Sequence, residues 1–247
     1  MKKYYYDLHI HSCLSPCADN DNTPNNIAGM AVLAGLNIVA LTDHNTAKNC
    51  PAFFKAAKQQ GLVPVAGVQL TTAGDIHTLC LFEALEYALA FDEYLQSRRT
   101  LIPNRTDIFG DQLIMNEKDG VTGTEPYFLS NATSVSIEEA PALVRQYRGV
   151  CYPAHIDREA NGIIAALGVF PETLDCSCAE VRDADKLPEL LQKFPVLKEK
   201  QIVVSSDAHY LWDIRDKAAY FELDDEPYSG AKIRHELFRI LRGEIRQ

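Results

Sequence analysis

Short apolar runs and amphipathic stretches follow one another along most of the chain. The apolar runs predict strands at 3–10, 37–42, 62–70, 76–82, 150–154, 175–181 and 201–206, and the amphipathic stretches predict helices at 24–35, 51–60, 83–97, 137–147, 187–200 and 230–242. Thr23-Pro24 predicts the start of the first helix, and Gly61 predicts the end of the second. Strands and helices that alternate on this scale predict a mostly parallel sheet, which enough units can close into a barrel.

The segment 99–134 interrupts this alternation. It is polar and irregular, and it contains Pro103, Gly110, Gly120, Gly123 and Pro126. A structureless loop of that length is uncommon in a compact domain unless it is functional. We interpret 83–135 as an insertion within a single barrel domain that spans 1–247. Its irregular part is either a lid over one end of the barrel or a mobile surface loop.

The composition is that of an ordinary globular protein, with 47% hydrophobic and 23% charged residues. No apolar run reaches the roughly 18 residues of a membrane span, and the first residues lack the apolar core of a secretory signal. We therefore expect a cytoplasmic protein without a membrane partner. The net charge of −10 argues against a general nucleic-acid binder, which needs a basic face. A metal cluster or a local basic patch would still attract phosphates.

Seven cysteines are present, and none forms a C-x-x-C pair. An odd count in a chain without an export signal predicts reduced thiols. The close pairs Cys13/Cys17 and Cys176/Cys178 are interpreted as small buried residues, with a structural zinc site at these thiols as the alternative.

Six of the seven histidines lie at or next to the end of a predicted strand, namely His9, His11, His44, His77, His155 and His209. The seventh, His235, lies on the C-terminal helix and is expected to be structural. Asp7, His9 and His11 alternate along one predicted strand, so we expect them on one face. Active sites of parallel barrels lie at the C-terminal ends of the strands, and the six histidines are therefore predicted to converge there.

Such a cluster is suited to divalent metals. Imidazole binds Zn and Fe well, while carboxylates suit Mn and bridge pairs of ions. A single histidine at a strand end is more often structural than a ligand. Six of them, with Asp7, Asp19, Asp43 and Asp207 nearby, predict a site for two or three ions. Cations held a few ångströms apart can bind a phosphate group, generate hydroxide and stabilise a leaving oxygen.

Several short motifs together resemble the PHP (polymerase and histidinol phosphatase) family. They are Asp-Leu-His-Ile-His-Ser at 7–12, Thr-Asp-His-Asn at 42–45, Gly-Val-Gln-Leu-Thr-Thr at 67–72, His77, Pro-Ala-His at 153–155 and Ser-Asp-Ala-His at 206–209. The resemblance covers about 3–210 in the right order. It implies an α/β fold, a distorted (β/α)7 barrel, and a metal-dependent phosphoesterase that uses two or three Zn, Mn or Fe ions.

Carried over residue by residue, the resemblance implies three metal positions. The first is implied to be held by His9, His11 and Asp207, and the second by His77 and His155. The third is implied to be held by His44 and His209, with Asp19 as the extra ligand. Asp7 and Asp43 are not implied as metal ligands; they are expected to orient ligand histidines by hydrogen bonding.

Gln69 departs from the family pattern, which usually has a Glu that bridges the first two metals at this position. An amide is neutral, and its NH2 end cannot coordinate a cation. Four histidines and Asp207 still remain to hold those two ions. Either the activity is reduced or lost, or water or hydroxide supplies the bridge, or the residue is an engineered substitution.

The expected reaction is hydrolysis of a phosphate ester by a metal-bound hydroxide. Arg158 is a candidate to bind phosphate oxygens, and so is Arg105, with a surface salt bridge as the alternative for each. His209 or His44 is a candidate to protonate the leaving oxygen. The expected substrate is small, such as a nucleotide, a short oligonucleotide or a sugar or metabolite phosphate. Long nucleic acid is not expected, because an acidic chain neutralises few phosphates.

Two other functions are consistent with the same residues. If Gln69 has disabled hydrolysis, the chain is a metal-bearing binder of phosphorylated metabolites. The third hypothesis is an accessory module of a polymerase, which ranks last because no polymerase segment is visible in the sequence. The sequence does not determine the metal or the oligomeric state.

Overall fold

The protein is built from ten strands and eight α-helices, described for residues 1–247 by a computed structural model. The strands are β1 (Lys2–Asp7), β2 (Ile38–Leu41), β3 (Val63–Thr71), β4 (His77–Phe82), β5 (Leu113–Met115), β6 (Val121–Thr124), β7 (Gly149–Pro153), β8 (Cys178–Val181), β9 (Gln201–Val204) and β10 (Tyr220–Leu223). The helices are α1 (Pro24–Leu33), α2 (Cys50–Gln59), α3 (Leu85–Gln96), α4 (Thr106–Phe109), α5 (Glu139–Gln146), α6 (Ile163–Leu167), α7 (Leu187–Lys193) and α8 (Gly230–Leu241). None of these helices is long and apolar enough to cross a lipid bilayer.

The ends of the first two helices follow the predicted signals. The Thr23 hydroxyl accepts a hydrogen bond from the Asn26 amide at 3.3 Å, which caps α1. Gly61 follows α2 with a φ of 80°, a conformation that glycine adopts without strain. The helix predicted at 187–200 is interrupted, because Pro195 cannot continue it, and Pro195–Glu199 forms a 3-10 turn instead.

The main sheet is a curled half-barrel with the strand order β10-β1-β2-β3-β4-β7. Strands β1, β2 and β3 are parallel, and β8 and β9 form a separate parallel pair. The predicted α/β distorted barrel is therefore confirmed. The prediction of a mostly parallel sheet was wrong at β4 and β10, because β4 is antiparallel to both of its neighbours and β10 is antiparallel to β1.

The reversal of β4 follows from the short connection 72–76. This turn joins β3 to β4 as a hairpin in which Thr71 pairs with His77. A parallel pairing would need a crossover of about a dozen residues or more. As a result, the first residue of β4 lies at the same edge of the sheet as the last residue of β3, and His77 faces the end where the parallel strands finish.

The segment 99–134 is not structureless, contrary to the sequence-based expectation. It contains α4 and the antiparallel hairpin of β5 and β6. The segment is tied to loops that follow the parallel strands, since the Leu113 amide donates to the Cys13 carbonyl at 2.9 Å. The Asn45 side chain donates to the Leu129 carbonyl at 2.7 Å. The segment therefore lies over the end of the sheet that carries His77.

Both faces of the main sheet are buried. Alternate residues of β2 point in opposite directions, so Ile38 and Ala40 join one hydrophobic cluster while Val39 and Leu41 join the other. The first cluster includes side chains of α8, and the second includes side chains of α1, α2, α3 and α5. This double burial explains why β2 is apolar throughout.

Candidate metal centre

Six histidines and one aspartate meet at one end of the sheet. They are His9 and His11 after β1, His44 after β2, His77 at the start of β4, His155 after β7, and Asp207 and His209 after β9. We call these seven residues the His–Asp cluster. Neighbouring rings are close, with centroids 4.2 Å apart for His11 and His209 and 5.3 Å apart for His77 and His155. Strand β1 ends at Asp7, so His9 and His11 reach the cluster from a loop and not from the strand predicted at 3–10.

The first group within the cluster consists of His9, His11 and Asp207. Oδ1 of Asp207 lies 3.2 Å from Nε2 of His9 and 3.4 Å from Nε2 of His11. The two Nε2 atoms are themselves 3.2 Å apart. All three side chains are buried, and their ligand atoms all lie within 4.8 Å of one another. Two nitrogens and a carboxylate oxygen that converge in this way are a donor set for a transition metal or zinc.

The second group consists of His77, His155 and Gln69. Nδ1 of His77 lies 3.3 Å from Nε2 of His155. The Gln69 amide nitrogen lies 3.1 Å from the first of these atoms and 3.2 Å from the second. Gln69 is buried in β3, and its side-chain oxygen Oε1 has no hydrogen-bond partner. The side chain at this position therefore does point at the pair of histidines, as its place in the motif predicts.

The third group consists of His11, His44 and His209, whose ligand atoms also lie within 4.8 Å of one another. Nδ1 of His209 bonds the Asp207 carbonyl at 2.8 Å, which leaves its Nε2 as the free nitrogen. Asp19 is not in this group. Its carboxylate accepts a hydrogen bond from the Asp21 amide at 2.8 Å within its own turn. The Asp19 amide donates to the His209 carbonyl at 3.0 Å, so the predicted extra ligand adjoins this group through its backbone.

The environment keeps most of these imidazoles neutral, which is the form that binds metals. Burial lowers the pKa of His77 to about 4 and holds the pKa values of His11, His44 and His155 well below the usual range. Burial acts in the same direction on His9, but the carboxylates of Glu180 and Asp207 outweigh it and raise the pKa of His9 to about 9. Burial lowers the pKa of His209 as well, so five of the six imidazoles favour the neutral form, in which a ring nitrogen has a lone pair for a metal.

Several buried polar atoms in and behind the cluster lack hydrogen bonds. They include Oδ1 of Asp207, Oε1 of Gln69, Nδ1 of His44 and Oε2 of Glu180. Buried polar groups in proteins are nearly always bonded, so each exception calls for a partner. A divalent cation would meet this need at Asp207, whose unpaired Oδ1 lies 3.2 and 3.4 Å from the Nε2 atoms of His9 and His11. At Gln69 the amide nitrogen, and not the unpaired oxygen, is the atom beside the histidine nitrogens. On this ground the residues fit the metals that the sequence predicts.

A second layer of polar side chains holds the histidines. Oε1 of Glu180 bonds Nδ1 of His9 at 2.9 Å and accepts the His155 amide at 3.0 Å. Ser15 bonds Nδ1 of His11 at 2.9 Å and donates to Asp43 at 2.7 Å. Asp43 thus acts on His11 through Ser15. Partners of this kind fix the orientation of ligand histidines.

Asp7 contacts the backbone and not an imidazole ring. Its carboxylate accepts hydrogen bonds from the His9 and Ser206 amides, each at 3.2 Å. Sequence reasoning expected Asp7 to orient a ligand histidine and did not identify Glu180. The only signal for Glu180 was one carboxylate inside the short apolar strand β8.

A cavity of about 500 Å³ opens onto the cluster. His44, His77, Asp207, His209 and Gln69 line one side, and Ile108, Phe109, Phe128 and Ser130 of the segment 99–134 line another. Cys17 is exposed at this wall, which corrects the expectation that it is buried. A larger cavity, of about 910 Å³, lies between α2 and α8 and contains none of the cluster.

The two predicted arginines have different surroundings. Arg158 lines the cavity and donates to Oδ2 of Asp207 at 2.7 Å. Arg105 is exposed and pairs with Asp107 at 2.6 Å, so it is a surface salt bridge outside the cavity wall. His235 is exposed and pairs with Glu83 at 2.9 Å, away from the cluster, as the sequence predicted.

Comparison with known proteins identifies the family. The sequence model of the PHP domain family matches residues 7–143, which is more than half of the chain. The chain belongs to the PHP domain family. This confirms the predicted family. A 5'-3' exoribonuclease of Haemophilus influenzae is 32% identical over 120 residues, which cover 47% of this PHP chain and 41% of the relative.

Solved structures share the fold of this PHP chain at low sequence identity. The lesion-specific endonuclease Q of Pyrococcus furiosus has a TM-score of 0.66 and 17% identity over 98% of this chain and 56% of its own. A metal-dependent phosphoesterase from Bifidobacterium adolescentis, described as putative, has a TM-score of 0.55 and 17% identity over 83% of this chain and 88% of its own. The chain thus spans little more than half of endonuclease Q and less than half of the curated exoribonuclease.

The expectation that long nucleic acid is excluded was wrong. Endonuclease Q, which has this fold, is seen in complex with a 27-mer duplex that carries an abasic lesion at the active site. The net charge of −10 is no ground for exclusion, because exposed charges more than about 10 Å apart are largely screened from one another. The local charge at the cavity includes Arg158, and Arg182 lies 3.7 Å from the Asp207 carboxylate.

Proposed function

We propose that this PHP chain hydrolyses phosphate esters that enter the cavity at the His–Asp cluster. The observation that carries the proposal is Asp207. Its Oδ1 is buried without a hydrogen bond between two histidine nitrogens, while its Oδ2 accepts from Arg158 at 2.7 Å. The same residue therefore joins a donor set for a cation to a guanidinium that faces the cavity.

The three groups of the cluster would hold the metals. His9, His11 and Asp207 would bind the first ion, His77 and His155 with the Gln69 carbonyl the second, and His44 with His209 the third. When bound, such ions supply Lewis-acid charge and make water a better nucleophile near neutral pH. Asp19 stays a predicted extra ligand of the third position, since only one of its carboxylate oxygens bonds the Asp21 amide. The role of His44 or His209 as a proton donor stays a prediction.

Arg158 would bind the phosphate group and the segment 99–134 would enclose the rest of the substrate. A guanidinium donates two parallel hydrogen bonds to phosphate oxygens. Phe109 and Phe128 pack together with ring centroids 4.3 Å apart and form an apolar wall of the cavity. Such a wall fits the organic part of an ester, for example a nucleoside. We therefore propose that this segment acts as a lid of the single barrel domain.

A panel of esters tests the proposal. Phosphate release is measured for phosphomonoesters and phosphodiesters of nucleosides, sugars and short oligonucleotides, with Mn, Zn or Fe supplied in turn. We expect at least one ester to be hydrolysed in a metal-dependent way and Arg158→Gln to raise its KM. Arg105→Gln is the matched control, because Arg105 pairs with Asp107 outside the cavity wall. No turnover of any ester with any metal would contradict the proposal.

One observation supports a second candidate, a metal-bearing binder without turnover. The Gln69 amide nitrogen, at 3.1 and 3.2 Å from His77 and His155, occupies the place where a bridging carboxylate oxygen would lie. A 180° flip of the amide would bring its oxygen there, but one neutral oxygen is a weak bridge. If phosphorylated compounds bind and neither the wild type nor Gln69→Glu hydrolyses them, the binder is the better description.

A further inference from the structure

Two aromatic side chains stack on each other at the protein surface immediately after the metal centre. The rings of Tyr210 and Trp212 have centroids 4.8 Å apart and lie within 14° of parallel. Tyr210 is 39% exposed and Trp212 is 74% exposed. Trp212 is also the only tryptophan of the chain. An aromatic pair that protein atoms leave uncovered in this way is a surface with π-faces available to a ligand.

The local backbone holds the pair outward. Leu211–Asp213 forms a 3-10 turn, in which the Asp213 amide donates to the Tyr210 carbonyl at 3.0 Å. Leu211 and Ile214 pack against a hydrophobic cluster of the core. Because the apolar side chains on either side of Trp212 are anchored inside, the two rings remain on the outer face of a fixed turn.

The pair is close to the metal centre along the chain. The turn follows β9, and His209 is only three residues before Trp212. Three residues span at most about 11 Å of chain, so the Cα atom of Trp212 lies within that distance of the Cα atom of a predicted metal ligand.

Three arginines lie near the metal centre or near the turn that follows it. Arg215 donates a hydrogen bond to the Arg182 carbonyl, and Nε of Arg182 donates to the Ser206 carbonyl at 3.0 Å. Arg158 donates to Asp207, the one carboxylate that faces both Arg158 and Arg182. Arg215 has no carboxylate within 4.0 Å. Arg158 and Arg182 thus share the Asp207 carboxylate beside the cluster, and Arg215 adds a third guanidinium at the Arg182 backbone.

We propose that Tyr210 and Trp212 form a stacking platform for an unpaired base of a nucleic-acid strand whose neighbouring phosphate enters the cavity. The inference rests on the proposed function, since it names a substrate class for the same site. Aromatic platforms beside a positively charged path are how proteins bind single strands without sequence preference. Either RNA or DNA satisfies this chemistry, because every base has a π-face.

The single tryptophan allows a direct test. Phosphorothioate oligomers of dT and of rU, which resist hydrolysis, are titrated into the metal-loaded protein while Trp212 fluorescence is recorded. We expect both oligomers to quench the emission in a saturable way, and the stronger of the two identifies the preferred sugar. A blunt-ended duplex without unpaired bases is expected to quench much less. Equal quenching by the duplex, or no quenching by either oligomer, would overturn the proposal.

Variants separate the platform from the reaction. Affinity for a labelled oligomer is measured by anisotropy, and Trp212→Ala is expected to weaken it about tenfold, with Trp212→Phe recovering most of the loss. Tyr228→Ala is the matched control, because Tyr228 is also exposed, at 65%, but follows β10 at the opposite end of β1. Unchanged affinity in Trp212→Ala would contradict the platform.

A substrate without a nucleobase distinguishes the two proposals. Turnover of bis(p-nitrophenyl) phosphate reports the reaction alone, and Trp212→Ala is expected to leave its kcat unchanged while raising the KM for an oligonucleotide. If the wild type does not hydrolyse either compound, the proposed function fails, and the fluorescence titration still decides whether the platform exists. A drop in kcat on the small ester with unchanged oligonucleotide KM would refute the platform.

Discussion

Glu180 shows how a single buried carboxylate can set the geometry of the metal centre. One of its oxygens bonds both the His9 ring and the His155 amide, so it links the first and second groups. Its other oxygen has no partner. Sequence reasoning identified the six histidines because each one ends or adjoins a strand. It did not identify Glu180, because one acidic residue in an apolar strand carries no pattern of its own.

Replacement of Glu180 by Gln should lower the affinity for the metal ion held by His9, His11 and Asp207. The amide keeps the size of the side chain but loses the charge that raises the pKa of His9 and orients its ring. We expect metal affinity to fall by roughly 10- to 100-fold, as for other residues that support ligand histidines. Metal content at a series of buffered free-ion concentrations measures this. Glu244→Gln is an exposed control, and equal affinity in both variants would refute the role.

Removal of the His9 imidazole should reduce the metal content by at least one ion per chain. Alanine offers no lone pair, and the remaining His11 and Asp207 are a poor site on their own. Elemental analysis of the purified His9→Ala protein should show fewer ions per chain than the wild type. His235→Ala serves as the control, since His235 pairs only with Glu83 at the surface. Unchanged metal content in His9→Ala would contradict the assignment of the first group.

Gln69 is the position where substitution should improve the enzyme. A glutamate there adds a negative charge and a second coordinating oxygen beside His77 and His155. We expect Gln69→Glu to raise occupancy of the first two positions and to raise kcat about tenfold, which corresponds to roughly 1.4 kcal/mol of transition-state stabilisation. Turnover and metal content are measured on the same preparation. Equal values in both forms would mean that a solvent bridge already suffices.

At the scale of elements, apolar runs revealed where strands lie but not which way they run. The runs at 37–42 and 62–70 correspond to β2 and β3 within about one residue at each end. The direction of β4 depends on the length of the turn 72–76 and on pairing across it, which hydropathy does not encode. The strand β10 and the helix α6 were not predicted, because four and five residues are too few to show a clear hydrophobic period in the sequence.

The close approach of β3 to its neighbours predicts a stability effect at Gly67. A Cβ atom there would lie 2.8 Å from Cγ2 of Thr42 and 2.9 Å from the Cys80 carbonyl oxygen. The backbone of β4 cannot move without disturbing the hairpin, so Gly67→Ala should destabilise the fold by about 1–3 kcal/mol. Urea unfolding measures the change. Gly29→Ala in α1 is the control, because its Cβ would meet nothing closer than 3.8 Å, and it should be neutral or mildly stabilising.

At the scale of the whole molecule, the net charge and the local charge at the cavity lead to different expectations about nucleic-acid binding. The chain carries −10 overall, yet Arg158 and Arg182 both lie within 4.0 Å of the Asp207 carboxylate, and Arg215 bonds the Arg182 carbonyl. Composition could not reveal this, because the arginines come from three separate loops. The family and the distorted barrel were predictable because the histidine motifs stand in the right order along the chain. The apolar wall at Phe109 and Phe128 was not, because it depends on how the segment 99–134 folds back.

The most direct test of the central claim is the rate of phosphate release by chelator-treated protein as metal is titrated back. The account predicts no turnover of the best ester after chelation. Turnover should return with Mn, Zn or Fe and should saturate only after at least two ions per chain have bound. The His–Asp cluster would then be both the metal site and the catalytic site. Full turnover in the presence of the chelator, or metal binding at the cluster with no turnover of any ester, would contradict it.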